Sequence, residues 1–109
     1  MAHVPEVTDQ NFDREILQSD MPAIVDFWAE WCQPCRALSP IIDALAAAYE
    51  GKIKVVKMNV DENPATPARY GVRAIPTVLA FRGGQVVEQI TGGGRGKATF
   101  EEMAQKLLA

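Results

Sequence analysis

The sequence predicts an α/β domain, and three features of the chain carry that prediction. Strand-like and helix-like segments alternate from end to end. Two short apolar runs, 23–29 and 53–60, have the composition of strands covered on both sheet faces, and 82–85 reads as a turn between two further strands. With 109 residues, 48% of them hydrophobic, the chain suffices for one domain, 1–109, with a core of its own. No internal repeat, low-complexity tract or linker divides it.

Residues 4–7 can form a short strand, at an edge because Pro5 has no N–H to give to a ladder. Thr8 or Asp9 can cap a helix that places Phe12, Ile16 and Leu17 on one face, and Met21-Pro22 ends it. The strand at 23–29 follows, nearly all apolar except for Asp26 in its middle. A long helix comes next, with Leu38, Ile41, Ile42, Leu45 and Tyr49 at helical spacing and Gly51 where a left-handed residue often closes a helix. The run 53–60 is a second buried strand, again with one charge, Lys57. In 61–70, Asn63 before Pro64 and Thr66 before Pro67 read as caps of a short, broken helix. Residues 77–81 and 86–90 flank Arg82-Gly-Gly-Gln85, whose glycines accept the positive φ of a hairpin turn, so these strands are antiparallel neighbours. The last helix carries Phe100, Met103, Ala104 and Leu107 on its sheet-facing side.

The bulk chemistry excludes several function classes. A net charge of −3, a pI near 5.1 and the lack of any Lys/Arg run argue against nucleic acid or an anionic membrane as partner. Acidic residues from Glu6 to Glu15 leave no apolar leader in the first twenty positions, and no run reaches the length of a membrane span, so a reducing cytoplasm is expected. Zinc needs four ligands; the chain has two cysteines and one histidine, His3, expected to be a solvated terminal residue, so no metal is expected. The glycines of 92–97 lack the spacing of a phosphate-binding loop.

The two cysteines, Cys32 and Cys35, directly follow the first buried strand and open the long helix. Free N–H groups and the positive end of the helix dipole favour thiolate there. Residues three apart in a helical turn have Cβ atoms about 5–6 Å apart, and a modest adjustment brings them to the roughly 3.8 Å a disulfide needs. Pro34 gives up no hydrogen bond in the first turn, while the N–H of Cys35 remains available to the sulfur of Cys32. Cys32 should have the lower pKa and the greater exposure, so it attacks a disulfide and Cys35 resolves the mixed disulfide. Asp26 and Lys57 each put a charge into a buried strand, which is costly unless paired or functional. They are either a structural ion pair or a functional pair in which an aspartate of raised pKa accepts the proton of Cys35, directly or through water. Ile75-Pro76 precedes a strand at a place where a cis bond recurs.

The segments Val25-Asp-Phe-Trp-Ala-Glu-Trp-Cys-x-Pro-Cys35, Lys57, Asp61, Asn63-Pro64, Tyr70-Gly71, Ile75-Pro76-Thr77, Gly84 and Gly92 occur in order over the whole chain, which thereby resembles the thioredoxin family. The resemblance implies the thioredoxin fold, a mixed sheet of five strands with four helices, and a cis Pro76 beside the cysteines. It also implies a substrate groove formed by Trp31, Val60, Ala74, Ile75, Pro76 and Gly92, to which Gln33 and Pro34 of the turn are added. The implied activity is protein disulfide reduction, with no prosthetic cofactor beyond the redox-active disulfide. Electrons are implied to come from NADPH through thioredoxin reductase, and disulfide-bearing proteins are the other partners; a monomer is expected. An oxidase or isomerase, or a non-catalytic binding module, are the alternative readings. The chain departs from the family in Gln33, where glycine is usual, and this side chain should stiffen the turn and alter the reduction potential. It departs again in a longer, glycine-rich 91–96 loop without a side-chain cap for the last helix, expected to loosen that wall of the groove.

Overall fold

A computed structural model describes residues 4–109 and shows an α/β architecture; His3 lies outside the described residues. The order is a short helical turn Asp13–Leu17, β1 Ala23–Trp28, α1 Gln33–Ala48, β2 Lys54–Asn59, α2 Ala65–Arg69, β3 Thr77–Arg82, β4 Gln85–Thr91 and α3 Lys97–Leu108. The sheet is mixed, in the order β2-β1-β3-β4, with β1 parallel to β2 and antiparallel to β3, and β3 antiparallel to β4.

The sheet has four strands among the described residues, not the five implied by the resemblance. The missing strand is the 4–7 segment, which makes a single parallel bridge between Glu6 and Lys57 on the outer side of β2. Two bonds hold it, from the Lys57 N–H to the Pro5 carbonyl at 3.0 Å and from the Val7 N–H to the Lys57 carbonyl at 2.9 Å. Pro5 has no N–H to extend the ladder. Beyond Val7 the chain turns into a cap in which Thr8 N–H donates to Asn11 Oδ1 at 2.8 Å and Asn11 N–H donates to Thr8 Oγ1 at 3.3 Å.

Strand alternation divides the core into two layers. Ala23, Val25 and Phe27 of β1 pack with Val56 and Met58 of β2 and with Phe12 and Ile16, on the face away from α1. Ile24 and Val55 pack with Leu38, Ile42 and Leu45 of α1 and with Phe100 and Met103 of α3 on the other. The same alternation sends Asp26 and Trp28 of β1 and Lys57 of β2 toward the α1 side, and Asp26 and Lys57 are register partners. That is how two charges become neighbours beneath the helix that bears the cysteines.

The β3–β4 turn has Gly83 at φ 59° and Gly84 at φ 79°, as a two-residue hairpin turn of the mirror-image type requires. The helix at 65–69 departs from its expected capping. Neither Asn63 nor Thr66 caps it with a side chain. Asp9, 56 residues earlier, accepts from the Ala65 N–H at 3.1 Å, the Thr66 N–H at 2.9 Å and the Thr66 hydroxyl at 2.7 Å. Asn63 instead accepts from the Asp9 N–H at 2.9 Å, tying the two loops together.

Candidate active site

β1 leads through Ala29, Glu30 and Trp31 directly into α1, so the cysteines meet the first helical turn at the end of a buried strand. Cys32 is the N-cap of α1, with extended backbone at φ −86° and ψ 103°, and its Sγ accepts from the Cys35 N–H at 3.3 Å. A sulfur thus takes the place of the serine or aspartate oxygen that commonly satisfies a first-turn donor. Cys32 and Cys35 are joined by a disulfide, their Cα atoms 5.3 Å apart. Pro34 occupies the first turn of the helix, where its missing donor costs nothing.

Both cysteines are 3% exposed in this disulfide form, so Cys32 lacks the greater exposure expected for it. Ala29, Trp28, Val60 and Ile75 pack around the pair and cover it. What separates the two sulfurs is their surroundings. Cys32 receives the helix N–H, whereas Cys35 lines a cavity of about 70 Å³ together with Asp26, Trp28, Arg36, Ser39 and Lys57.

Asp26 is 4% exposed, and its Oδ1 has no hydrogen-bond partner among the described residues. Burial pushes its carboxyl up to about 7, against the opposing pull of the Lys57 ammonium. Lys57 makes no ion pair within 4 Å among the described residues; its Nζ stands 4.9 Å from the centre of the Trp28 ring, drawn over the indole face. The expected structural ion pair is therefore not formed as a contact pair, and Asp26 is left as a buried acid of raised pKa beside a thiol position.

The groove residues fall around this turn. Trp31 is 69% exposed and fixed by its Nε1–H, which donates to Asp61 at 2.8 Å. The Ile75–Pro76 peptide is cis. The loop before β3 is tied by the Thr77 hydroxyl, which donates to the Ala74 carbonyl, and by the Gly92 N–H, which donates to the Pro76 carbonyl at 2.8 Å. Val60 and Ile75 touch the disulfide region, and Gln33, Pro34 and Ala74 are exposed at the surface. Gly93 lies so close to the turn that a Cβ on it would stand 2.9 Å from Pro34 Cβ. Pro34 and Gly92 share a second pocket, about 260 Å³, with Ala37, Ile41 and Arg95. Ser39 was not among the residues singled out from sequence; the available signal was its place one helical turn after Cys35, on the same face of α1. Among the described residues, no group of three or more His, Cys, Asp or Glu is placed to hold a metal ion, and no helix is long and apolar enough to cross a membrane.

A cysteine pair that closes at the N-terminus of a helix, on a mixed α/β sheet and beside a cis proline, defines a thiol–disulfide oxidoreductase. Residues 3–106 match the family model described as Thioredoxin. The chain is 49% identical to Thioredoxin 1 of Nostoc sp. over 108 residues, covering 99% of this chain and 100% of that protein. It is 50% identical to Thioredoxin of Synechocystis sp. over 108 residues, again 99% and 100%. With Thioredoxin 2 of Chlorobaculum tepidum the identity is 59% over 87 residues, 80% of each chain. The chain belongs to the thioredoxin family, and its activity is protein disulfide reduction by a redox-active cysteine pair, with no prosthetic cofactor.

Proposed function

We propose that Cys32 is the attacking nucleophile, Cys35 the resolving thiol and Asp26 the group that receives the proton of Cys35. The observation that carries this assignment is the hydrogen bond from the Cys35 N–H to Cys32 Sγ, because the same donor and the helix dipole stabilise negative charge on that sulfur when the pair is reduced. The Cys32 thiolate attacks one sulfur of a substrate disulfide, forming a mixed disulfide and releasing the first substrate thiolate with the electron pair of the broken bond. Cys35 gives up its proton and attacks Cys32 Sγ; the intramolecular disulfide forms and the second substrate thiolate leaves. Two electrons pass to the substrate and the cysteine pair is oxidised. Lys57, drawn over Trp28, lowers the cost of a negative charge on Asp26.

Substrate chain lies across Trp31, Gln33, Pro34, Val60, Ala74, Ile75, Pro76 and Gly92, a surface of small and apolar side chains with exposed backbone, suited to proteins of varied sequence. The disulfide is returned to the dithiol by thioredoxin reductase using NADPH, and the protein works as a monomeric single domain in the reducing cytoplasm. The names of the related proteins and the two-cysteine composition support this placement.

Cys35→Ser tests the assignment of roles. Incubated with a disulfide-bearing protein, this variant should accumulate a covalent complex through Cys32, visible as a reducible higher band on non-reducing electrophoresis. Cys32→Ser should give none. A complex trapped by Cys32→Ser and not by Cys35→Ser reverses the roles.

A further inference from the structure

Two buried polar atoms have no hydrogen-bond partner among the described residues, Asp26 Oδ1 and Trp28 Nε1, and both residues line the 70 Å³ cavity behind the disulfide. Buried donors and acceptors are almost always satisfied, because leaving one unpaired costs about 1–3 kcal/mol. Here one orphan is an acceptor and the other a donor, at the same small cavity. A water molecule satisfies both at once, accepting from the indole and donating to the carboxyl. The cavity has room for one, since a water needs about 10–15 Å³ of such space and two to four polar partners.

A water held by these two atoms still has one hydrogen and one lone pair to place. Of the remaining walls, Cys35, Arg36, Ser39 and Lys57, the cations only donate. The Ser39 hydroxyl both donates and accepts, so it can follow the water as a proton moves through it. Ser39 stands on α1 one turn after Cys35, half-buried, on the face turned toward β1. We infer that Ser39 is a positioning residue of the reaction: with the indole N–H of Trp28, its hydroxyl holds a water between Cys35 and Asp26 Oδ1, and that water carries the proton.

The inference rests on the proposed role of Asp26 and supplies its path. During resolution the S–H bond of Cys35 breaks as the water oxygen takes the proton, and the water passes one of its own to Asp26 Oδ1. The Cys35 thiolate attacks Cys32 Sγ, the mixed disulfide breaks, and the substrate departs as a thiolate. Asp26 is left neutral and the water regenerated. The charges that face it are Lys57, across from Asp26 on β2, and Arg36 on α1, whose guanidinium donates to the Glu30 carbonyl at 3.4 Å. From β3 the register partner of Asp26 is the apolar Val78, which adds none.

The test measures the lifetime of the mixed disulfide with a peptide substrate, by rapid acid quench and mass spectrometry, from pH 6 to pH 10. Loss of one hydrogen bond to the water in Ser39→Ala should slow resolution about fivefold near pH 7. The deficit should shrink toward pH 10, where hydroxide takes the proton of Cys35 without a relay. Ser39→Thr keeps the hydroxyl and should restore the neutral-pH rate. A Ser39→Ala rate equal to the parent at pH 7, or slowed by one factor at every pH, overturns the inference. Asp26→Asn, measured alongside, separates the two claims. If it is slow near neutrality while Ser39→Ala is not, only the water path fails; if it too matches the parent, the role of Asp26 fails with it.

Discussion

Replacing Asp26 by asparagine should stabilise the protein at neutral and alkaline pH. The carboxyl is 4% exposed, one of its oxygens is unpartnered, and burial raises its pKa from 3.8 to about 7. In the unfolded chain it titrates at its ordinary value. A group whose folded pKa is raised contributes most below the unfolded pKa, and that contribution is lost as pH rises through the folded one. At about 1.4 kcal/mol per pH unit, the rise from 3.8 to about 7 makes ionised Asp26 cost about 4 kcal/mol of folding free energy above pH 7. Asparagine never ionises, so this loss should vanish in the variant. Urea unfolding of the oxidised form, disulfide intact, compares the two proteins between pH 4 and pH 9. The stability difference should grow steadily from pH 4 to about pH 7 and then stay level. With an m-value of about 1–3 kcal/mol/M, the midpoint of Asp26→Asn at pH 8 should lie more than about 1 M above the parent. The other carboxylates, Asp9 and Glu15 included, are common to both proteins and cancel. A difference that is constant over this range, or that favours the parent above pH 7, refutes the reasoning.

Two further substitutions probe the frame around the site. Asp9→Ala removes the carboxylate that caps α2, which the Thr66 and Ala65 donors hold below its usual pKa even though burial pushes the other way. It should cost about 1–2 kcal/mol at pH 7, less in acid where the parent's own carboxylate protonates, and an unchanged urea midpoint at pH 7 would discount the cap. Gly93→Ala meets Pro34 Cβ at 2.9 Å with no positive φ to strain it, so the loop or the turn must give, at about 1–3 kcal/mol. Gly96→Ala has nothing within 4 Å and is the control; equal melting temperatures for the two variants would show that the loop yields freely.

What could be read in the sequence follows from the range of the physics involved. The cysteine turn is local: a strand end, a helix start and a proline in the first turn suffice to place both sulfurs, and the Cys35 N–H bond to Cys32 Sγ follows from that geometry. The hairpin at Gly83 and Gly84 is local too. The charges of Asp26 and Lys57 stood out against their apolar runs, and a period of two brings them to one face once β1 and β2 pair in register. The capping of α2 escaped because it spans 56 residues; Asp9 looked like a cap for the helix beside it, and nothing local tells a carboxylate to reach across to another loop. The strand at 4–7 failed at Pro5, whose missing donor weakens a ladder that has no second neighbour. Trp28 and Ser39 drew no notice, since a tryptophan in an apolar strand and a serine in a helix acquire polar meaning only when a cavity is found between them.

The stability lost to Asp26 and the reactivity proposed for it are the same free energy seen twice. An ordinary thiol titrates near 8.5 and an ordinary carboxyl near 3.9, so moving a proton from one to the other is uphill by more than four pH units, about 6 kcal/mol. With the carboxyl raised to about 7, the gap falls to about 2 kcal/mol, which leaves the proton transfer accessible on the time scale of disulfide exchange. The roughly 4 kcal/mol difference is what burial takes from folding when Asp26 ionises. An exposed aspartate at this position would leave the protein more stable and would be a poor base. The buried one is a better base because the fold holds it away from water, on the α1 face of β1 and against the helix that carries Cys35. Asp26→Asn should therefore gain stability and lose the resolution step together, and a variant that gained the first without losing the second would separate the buried charge from the chemistry.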